Sequence, residues 1–233
     1  MTAENTKTSI INLALTHIKQ RTIASVAENS EQARKGILFY DRSRRSALRG
    51  CDWNFATSQI ILNKLGDIDT AINNPSVQAD QDIFYGYNFL YAEPPNTIRF
   101  RKVFNQQRQD AFDPYTDRTR DERRNAIGQT FNQFKLVQSP ITKIRAIATN
   151  VDLAYGEITL DITDESVFDD MFVDGFAYEL ALKMCIPLTA DKELYGIIKA
   201  ERDDFFGEAK RKNGGEGTER LPKSSSYEDA RTY

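Results

Sequence analysis

Histidine and tryptophan each occur once in this chain of 233 residues, and cysteine twice. Each scarcity removes a class of chemistry. Cys51 and Cys185 stand far apart without metal-ligand spacing, so neither a zinc site nor a disulfide framework is written in the sequence. His17 falls inside a helical pattern with no nucleophile or orienting carboxylate linked to it by motif, and reads as a core-edge or surface residue. There is no Gly-x-x-x-x-Gly-Lys-Ser/Thr loop, no His-Glu-x-x-His, no Gly-x-Ser-x-Gly and no Cys-x-x-Cys. No apolar run approaches the roughly 20 residues that a membrane-spanning helix needs. No basic segment followed by an apolar one opens the chain, which points to reduced cytosolic synthesis. An excess of one charge is also missing. With 31 Lys and Arg against 34 Asp and Glu, the net charge of -3 gives no global pull towards nucleic acid or an anionic membrane.

What is present suffices to fold. Hydrophobic residues make up 40% of the chain and aromatics 11%, enough for one large or two small domains. Ile10, Leu13, Ala14 and Ile18 recur at helical spacing and predict a first amphipathic helix, entered through Thr6 or Thr8 as cap. Ser30 is placed to cap a second, basic helix, with Glu31 in its first turn and Ala33, Ile37, Tyr40 and Ala47 on one face. Trp53 and Phe55 arrive where that helix ends, suited to closing the bottom of the helix pair.

The order of these elements resembles the N-terminus of the tail tubular protein A family, the head-to-tail adaptors of short-tailed bacteriophages. The similarity runs through Ile11-Asn12-Leu13-Ala14-Leu15 to Gln20, Ile23-Ala24-Ser25-Val26, Ser30-Glu31-x-Ala33, Tyr40-Asp41-x-x-Arg44-x-x-x-Leu48 and Trp53-Asn54-Phe55-Ala56. Lys19 stands where the family usually has a small residue, and Asp52 where it favours proline.

Beyond an apolar stretch from Ile60 to Leu65 lies a loop punctuated by Asn73, Asn74 and Pro75. From Phe84 to Phe104 aromatics alternate with polar residues. Tyr85, Tyr87 and Phe89, the turn at Pro94-Pro95-Asn96, then Ile98 and Phe100 beside a basic face of Arg99, Arg101 and Lys102 predict a hairpin or two short strands. Residues 105–133 hold almost no aliphatic side chains and predict a long loop, either a segment that orders against a partner or a solvated one. Strand character returns at Phe134-Lys135-Leu136-Val137 and from Ile141 to Ala148, where Ile141, Lys143 and Arg145 are expected to face away from Thr142, Ile144 and Ala146. A small mixed or antiparallel sheet follows.

Helices resume near Asp164, with Phe168, Phe172, Phe176 and Leu180 recurring every four residues. Pro187 is expected to stop that helix and Thr189 to cap the next. Leu194, Ile198, Phe205 and Ala209 would supply its apolar face as far as Asn213-Gly214-Gly215. The predicted class is α+β, mainly α. It comprises a helical bundle from residues 1–83 and 164–213, a small inserted β domain over 84–163 and an extended tail over 214–233. Ile147-Ala148-Thr149-Asn150, Ala154-Tyr155 and Phe168-x-x-x-Phe172 also resemble the adaptor family. So does Tyr227-Glu228-Asp229-Ala230-Arg231 in the tail, with Tyr227 where tryptophan is usual.

Between Arg34 and Arg49 six basic residues (Arg34, Lys35, Arg42, Arg44, Arg45, Arg49) face one acid, Asp41, and such a helix can track phosphates. Asp161, Asp164, Glu165, Asp169 and Asp170 form the nearest approach to an acidic site of the kind metal-dependent nucleases use, although helix capping explains them more simply. Basic and acidic patches on one subunit suggest neighbours paired head to tail in a closed ring.

The resemblance implies a non-enzymatic virion protein without a cofactor, made in the bacterial host cytoplasm and located at the head-tail junction. It would form a twelve-fold ring between the portal protein and the downstream nozzle or tube protein, extending the DNA channel, touching packaged DNA transiently and contacting no membrane. In that role Leu221, Tyr227, Ala230 and Arg231 anchor the tail on the portal, while Arg34, Lys35, Arg42, Arg45 and Arg49 serve subunit contacts or line the channel. The competing expectations are a nucleic-acid-binding helical protein using residues 34–49, and an enzyme using the acidic cluster.

Overall fold

The computed structural model describes residues 5–68, 87–105, 134–138 and 143–216. Its described residues form four α-helices and two antiparallel sheets. The chain divides into two compact units: one runs up to Phe55 and resumes at Asp164, and the other is Ala56–Thr163.

In the first unit α1 (Lys7–His17) starts at Thr6, whose Oγ1 accepts the Ser9 N–H at 3.2 Å while Ser9 Oγ accepts the Thr6 N–H at 2.9 Å. Two orphan donors are thereby satisfied. Helix α2 (Glu31–Gly50) starts at Ser30, which accepts from Ala33 N–H. Two sequence expectations need correction at the next helix. Asp164 caps only a single 3-10 turn, Glu165–Val167, and α3 (Asp170–Thr189) begins at Asp169, whose carboxylate accepts the Met171 N–H at 2.8 Å. Nor does Pro187 stop α3. In the last turn it removes only the one N–H that would reach back to Lys183, and the helix ends two residues later at Thr189, with Ala190 as its cap in the left-handed conformation, φ 53°. Helix α4 (Lys192–Glu216) is capped by Asp191, not Thr189: the Asp191 carboxylate accepts the N–H groups of Glu193 and Leu194. Its backbone also continues through Gly214 and Gly215, which a helix tolerates at about 1 kcal/mol each.

Helix α3 is apolar nearly all round, and it packs against α1, α2 and α4. A helix of that composition belongs at the centre of its unit. Trp53, 1% exposed, packs edge-on against Phe172 (5.3 Å between centroids) and Phe206 (6.3 Å), and its Nε1 donates to the Ala47 carbonyl at 2.9 Å. The end of α2 is held there. Close approach elsewhere depends on glycine: a Cβ on Gly36 would stand 2.8 Å from Ile11 Cγ2, so α1 and α2 meet where the side chain is missing. Ile37, expected on the buried face of α2, is 49% exposed, because Gly36, Tyr40, Ser43, Ala47 and Leu48 form that face.

The second unit holds β1 (Thr57–Ile61), β2 (Lys64–Asp67), β3 (Phe89–Ala92), β4 (Thr97–Asn105), β5 (Phe134–Gln138), β6 (Arg145–Thr149) and β7 (Ala154–Leu160). They pair as β1-β7-β4 and β2-β3-β6-β5. Residues 57–61 and 64–67, expected with the helices, are therefore sheet. Their partners, β7 and β3, lie too far along the chain for local pattern to announce them. The strands β3 and β4 do not form a hairpin with each other but join different sheets across Pro94-Pro95-Asn96. Between the sheets lie Leu62, Tyr91, Phe100, Val103, Ile147, Val151, Ala154 and Ile158. Gly156 on β7 admits the Phe100 ring, which would stand 2.7 Å from a Cβ there. The expected alternation over 141–148 fails within β6, where Ala146, Ile147, Ala148 and Thr149 are all buried and Ile144 before it is exposed. A central strand covered on both faces loses its alternation. Ile141 and Thr142 lie outside the described residues.

Candidate functional site

The residues of the predicted basic helix are all described. Arg34, Arg42, Arg45 and Arg49 are exposed and fall on one side of α2, with Lys35 half-buried at its flank. Arg34 donates from Nη1 to the Asn29 side chain at 3.2 Å. Leu38, 66% exposed, sits among these cations. Arg44, which the sequence groups with them, is instead 2% exposed, with its Nε 3.8 Å from Asp41 Oδ1. It belongs to a cluster around Tyr40, whose hydroxyl donates to Glu165 Oε1 at 3.1 Å and whose ring lies 4.6 Å beneath the Lys7 ammonium. Burial pushes the Tyr40 phenol far above its ordinary value, and the Glu165 carboxylate adds to the shift. That phenol stays protonated and serves as a donor.

A second polar cluster went unread in the sequence. Glu179, 8% exposed on α3, takes Ser46 Oγ on Oε2 at 3.0 Å and Arg202 Nη1 on Oε1 at 2.9 Å, while Lys183 Nζ lies 3.8 Å from Oε2 and donates to Ser43 Oγ at 3.3 Å. Three helices are tied through one carboxylate. Burial lowers the Lys183 ammonium, Glu179 opposes that shift, and Arg42 and Arg202 reinforce it. The signal available was a lone acid amid the apolar run from Gly175 to Leu182.

Three of the five acidic residues are engaged in capping or pairing. Asp164 and Asp169 each accept a backbone N–H at a helical start, and Glu165 is taken by Tyr40. The Ser166 hydroxyl, donating to Asp164, holds that carboxyl below the usual range. Among the described residues no group of three or more His, Cys, Asp or Glu is placed to hold a metal ion. The basic β4 face is drawn into the sheet, with Arg101 Nε on Thr159 Oγ1 at 2.9 Å and Lys102 Nζ 3.3 Å from Glu157.

His17 stacks on Tyr178 at 4.2 Å between centroids. Burial lowers its pKa below 6.5, against the pull of Glu201 and Asp174. Below 6.5 the unfolded chain therefore takes up a proton that the folded chain does not, so stability falls as pH drops from 6.5 towards the lowered folded value. Asp174, raised by burial, acts oppositely but in a window just above 3.8. Melting curves from pH 7 to 5 test the first effect. The wild type is expected to lose more stability over that interval than His17→Asn, and parallel losses would remove His17 as the cause.

Leu221, Tyr227, Ala230, Arg231 and the segment 106–133 lie outside the described residues. No helix among the described residues is long and apolar enough to cross a membrane. In comparison with known proteins, no family model matches the chain and no curated sequence does so.

Proposed function

We propose that this chain is a structural virion protein, an adaptor that forms a ring between the portal and the tail of a bacteriophage, extends the DNA channel and joins capsid to tail. The observation that carries the proposal is the order of elements in the first 60 residues: a Thr6-entered helix, a Ser30-capped basic helix, then Trp53-Asn54-Phe55-Ala56. The burial of Trp53 against Phe172 supports it, since the motif residues and the C-terminal helices then belong to one core. On this reading the unit before Phe55 and after Asp164 is a helical bundle, with Ala56–Thr163 inserted as a sheet domain. Twelve copies would close the ring, with a nozzle or tube protein seated below. Leu221, Tyr227, Ala230 and Arg231 anchor a tail on the portal, where a few buried side chains offset the ordering of an extended segment.

Deleting residues 217–233 tests the anchor. The truncated chain is expected to keep its circular dichroism spectrum and melting temperature and to lose co-sedimentation with the portal protein; undiminished co-sedimentation would refute the assignment. A second reading, nucleic-acid binding, has one observation in its favour, the exposed arginines of α2. It requires the isolated monomer to bind duplex DNA with an affinity that falls steeply as salt rises.

A further inference from the structure

The exposed side of α2 has a counterpart on α4. Arg34, Leu38, Arg42, Arg45 and Arg49 follow one another at steps of four, four, three and four residues, and all five are exposed. At 3.6 residues per turn these steps keep the side chains within about 80° of one another along about 22 Å of helix. On α4, Glu193, Ile197, Glu201, Asp204 and Glu208 follow at the same four steps, and all five are exposed. The second position of each stripe is a large aliphatic, Leu38 at 66% and Ile197 at 57% exposure. Neither stripe is pure in charge. Glu31 and Asp41 adjoin the first, while Arg211 and Lys212 adjoin the second, where Lys212 pairs with Glu208 at 2.7 Å. The acidic stripe is flanked by Gly196, Ala200 and Gly207, and a Cβ added to either glycine would meet nothing within 4 Å. A partner helix can approach there closely.

We infer that the arginine face of α2 in one copy docks on the acidic face of α4 in the next copy, so that a heterologous, head-to-tail contact is built from two stripes of matched spacing and opposite charge. The inference rests on the ring reading above. A single copy exposes both stripes, and a second copy supplies an acidic helix for the basic one and a basic helix for the acidic one. The aliphatic residue in each stripe gives the contact an apolar centre within a charged rim. Complementary potentials of this kind fix partner and register, and an unlike pair of surfaces on one subunit generates a ring when the rotation closes.

Charge reversal tests it. Arg42→Glu/Arg45→Glu makes both stripes acidic, and Glu201→Lys/Asp204→Lys reverses two of the acids on α4. By mass photometry, with circular dichroism as a check on folding, each variant alone is expected to need more than about tenfold higher concentration to assemble than the wild type. Mixed one to one, they are expected to assemble again, because each supplies the face that the other has lost. That rescue also rules out misfolding as the cause of the first result. If the wild type assembles and either variant assembles equally well alone, the interface lies elsewhere and only this inference falls. A wild type that remains monomeric with and without the portal would overturn the ring reading together with it. If the arginine variant loses affinity for duplex DNA while assembling normally, the stripe serves phosphates, which also overturns the inference.

Discussion

Trp53→Ala is expected to destabilise the helical unit by about 3–5 kcal/mol, the range for truncating a large buried aromatic. The side chain is 1% exposed and meets residues from three helices: its indole donates to Ala47 at the end of α2, and its rings contact Phe172 of α3 and Phe206 of α4. Alanine would leave a cavity lined by aromatic rings that α3 cannot collapse to fill, because Phe172 also packs on Phe55, Phe168 and Phe176. Urea denaturation followed by far-ultraviolet circular dichroism measures the loss. A change below about 1 kcal/mol would show that Trp53 does not hold the end of α2, since most surface substitutions fall within about half that value. Because Trp53 is the only tryptophan, wild-type fluorescence reports on this unit alone, and a transition that differs from the dichroism curve would show the two units unfolding separately.

Glu179→Ala is expected to cost about 2–3 kcal/mol, whereas Lys183→Met is expected to change stability by less than about 1 kcal/mol. The asymmetry follows from what each substitution leaves behind. Without Glu179, Arg202 loses its 2.9 Å partner, Lys183 loses its counter-charge and Ser46 loses an acceptor. Removing one member of a buried pair costs about 3–5 kcal/mol; the side chains of Lys183 and Arg202 keep 25% and 23% exposure, so water relieves part of that cost. Without Lys183, Glu179 still holds Ser46 and Arg202, and a desolvated ammonium is gone. The folded Lys183 pKa lies below 10.5, so between that lowered value and 10.5 the unfolded chain binds more protons and wild-type stability rises with pH. Lys183→Met should flatten this rise. Equal costs for the two substitutions, with the pH slope unchanged, would mean that the carboxylate is not the centre of the network.

Signals carried by neighbouring residues were legible in the sequence. Ser30 and Thr6 announce caps because the bond each makes is only three residues long, and Phe134 to Val137 has strand propensity of its own. Signals carried by distant partners were not. β1 reads as a continuation of the helical region until β7, about 100 residues on, supplies its hydrogen bonds. Arg44 looks like one more surface arginine until the fold places it at 2% exposure beside Tyr40. Pro187 is a stop signal in isolation, yet near a helix end the single missing hydrogen bond weighs little against the burial of the preceding turns. The acidic stripe of α4 escapes a reading by composition because Lys192, Lys199 and Lys210 are interleaved with its acids. Only helical periodicity places these three lysines on a different side from the acids.

The most direct measurement is negative-stain imaging, with sizing in solution, of the purified chain alone and mixed with the portal protein of the same virion. Rings of the chain, or portals that gain an added layer, are the expected result; a monomer that stays indifferent to the portal at every concentration would contradict the adaptor reading and leave the exposed arginines of α2 to be tested against DNA.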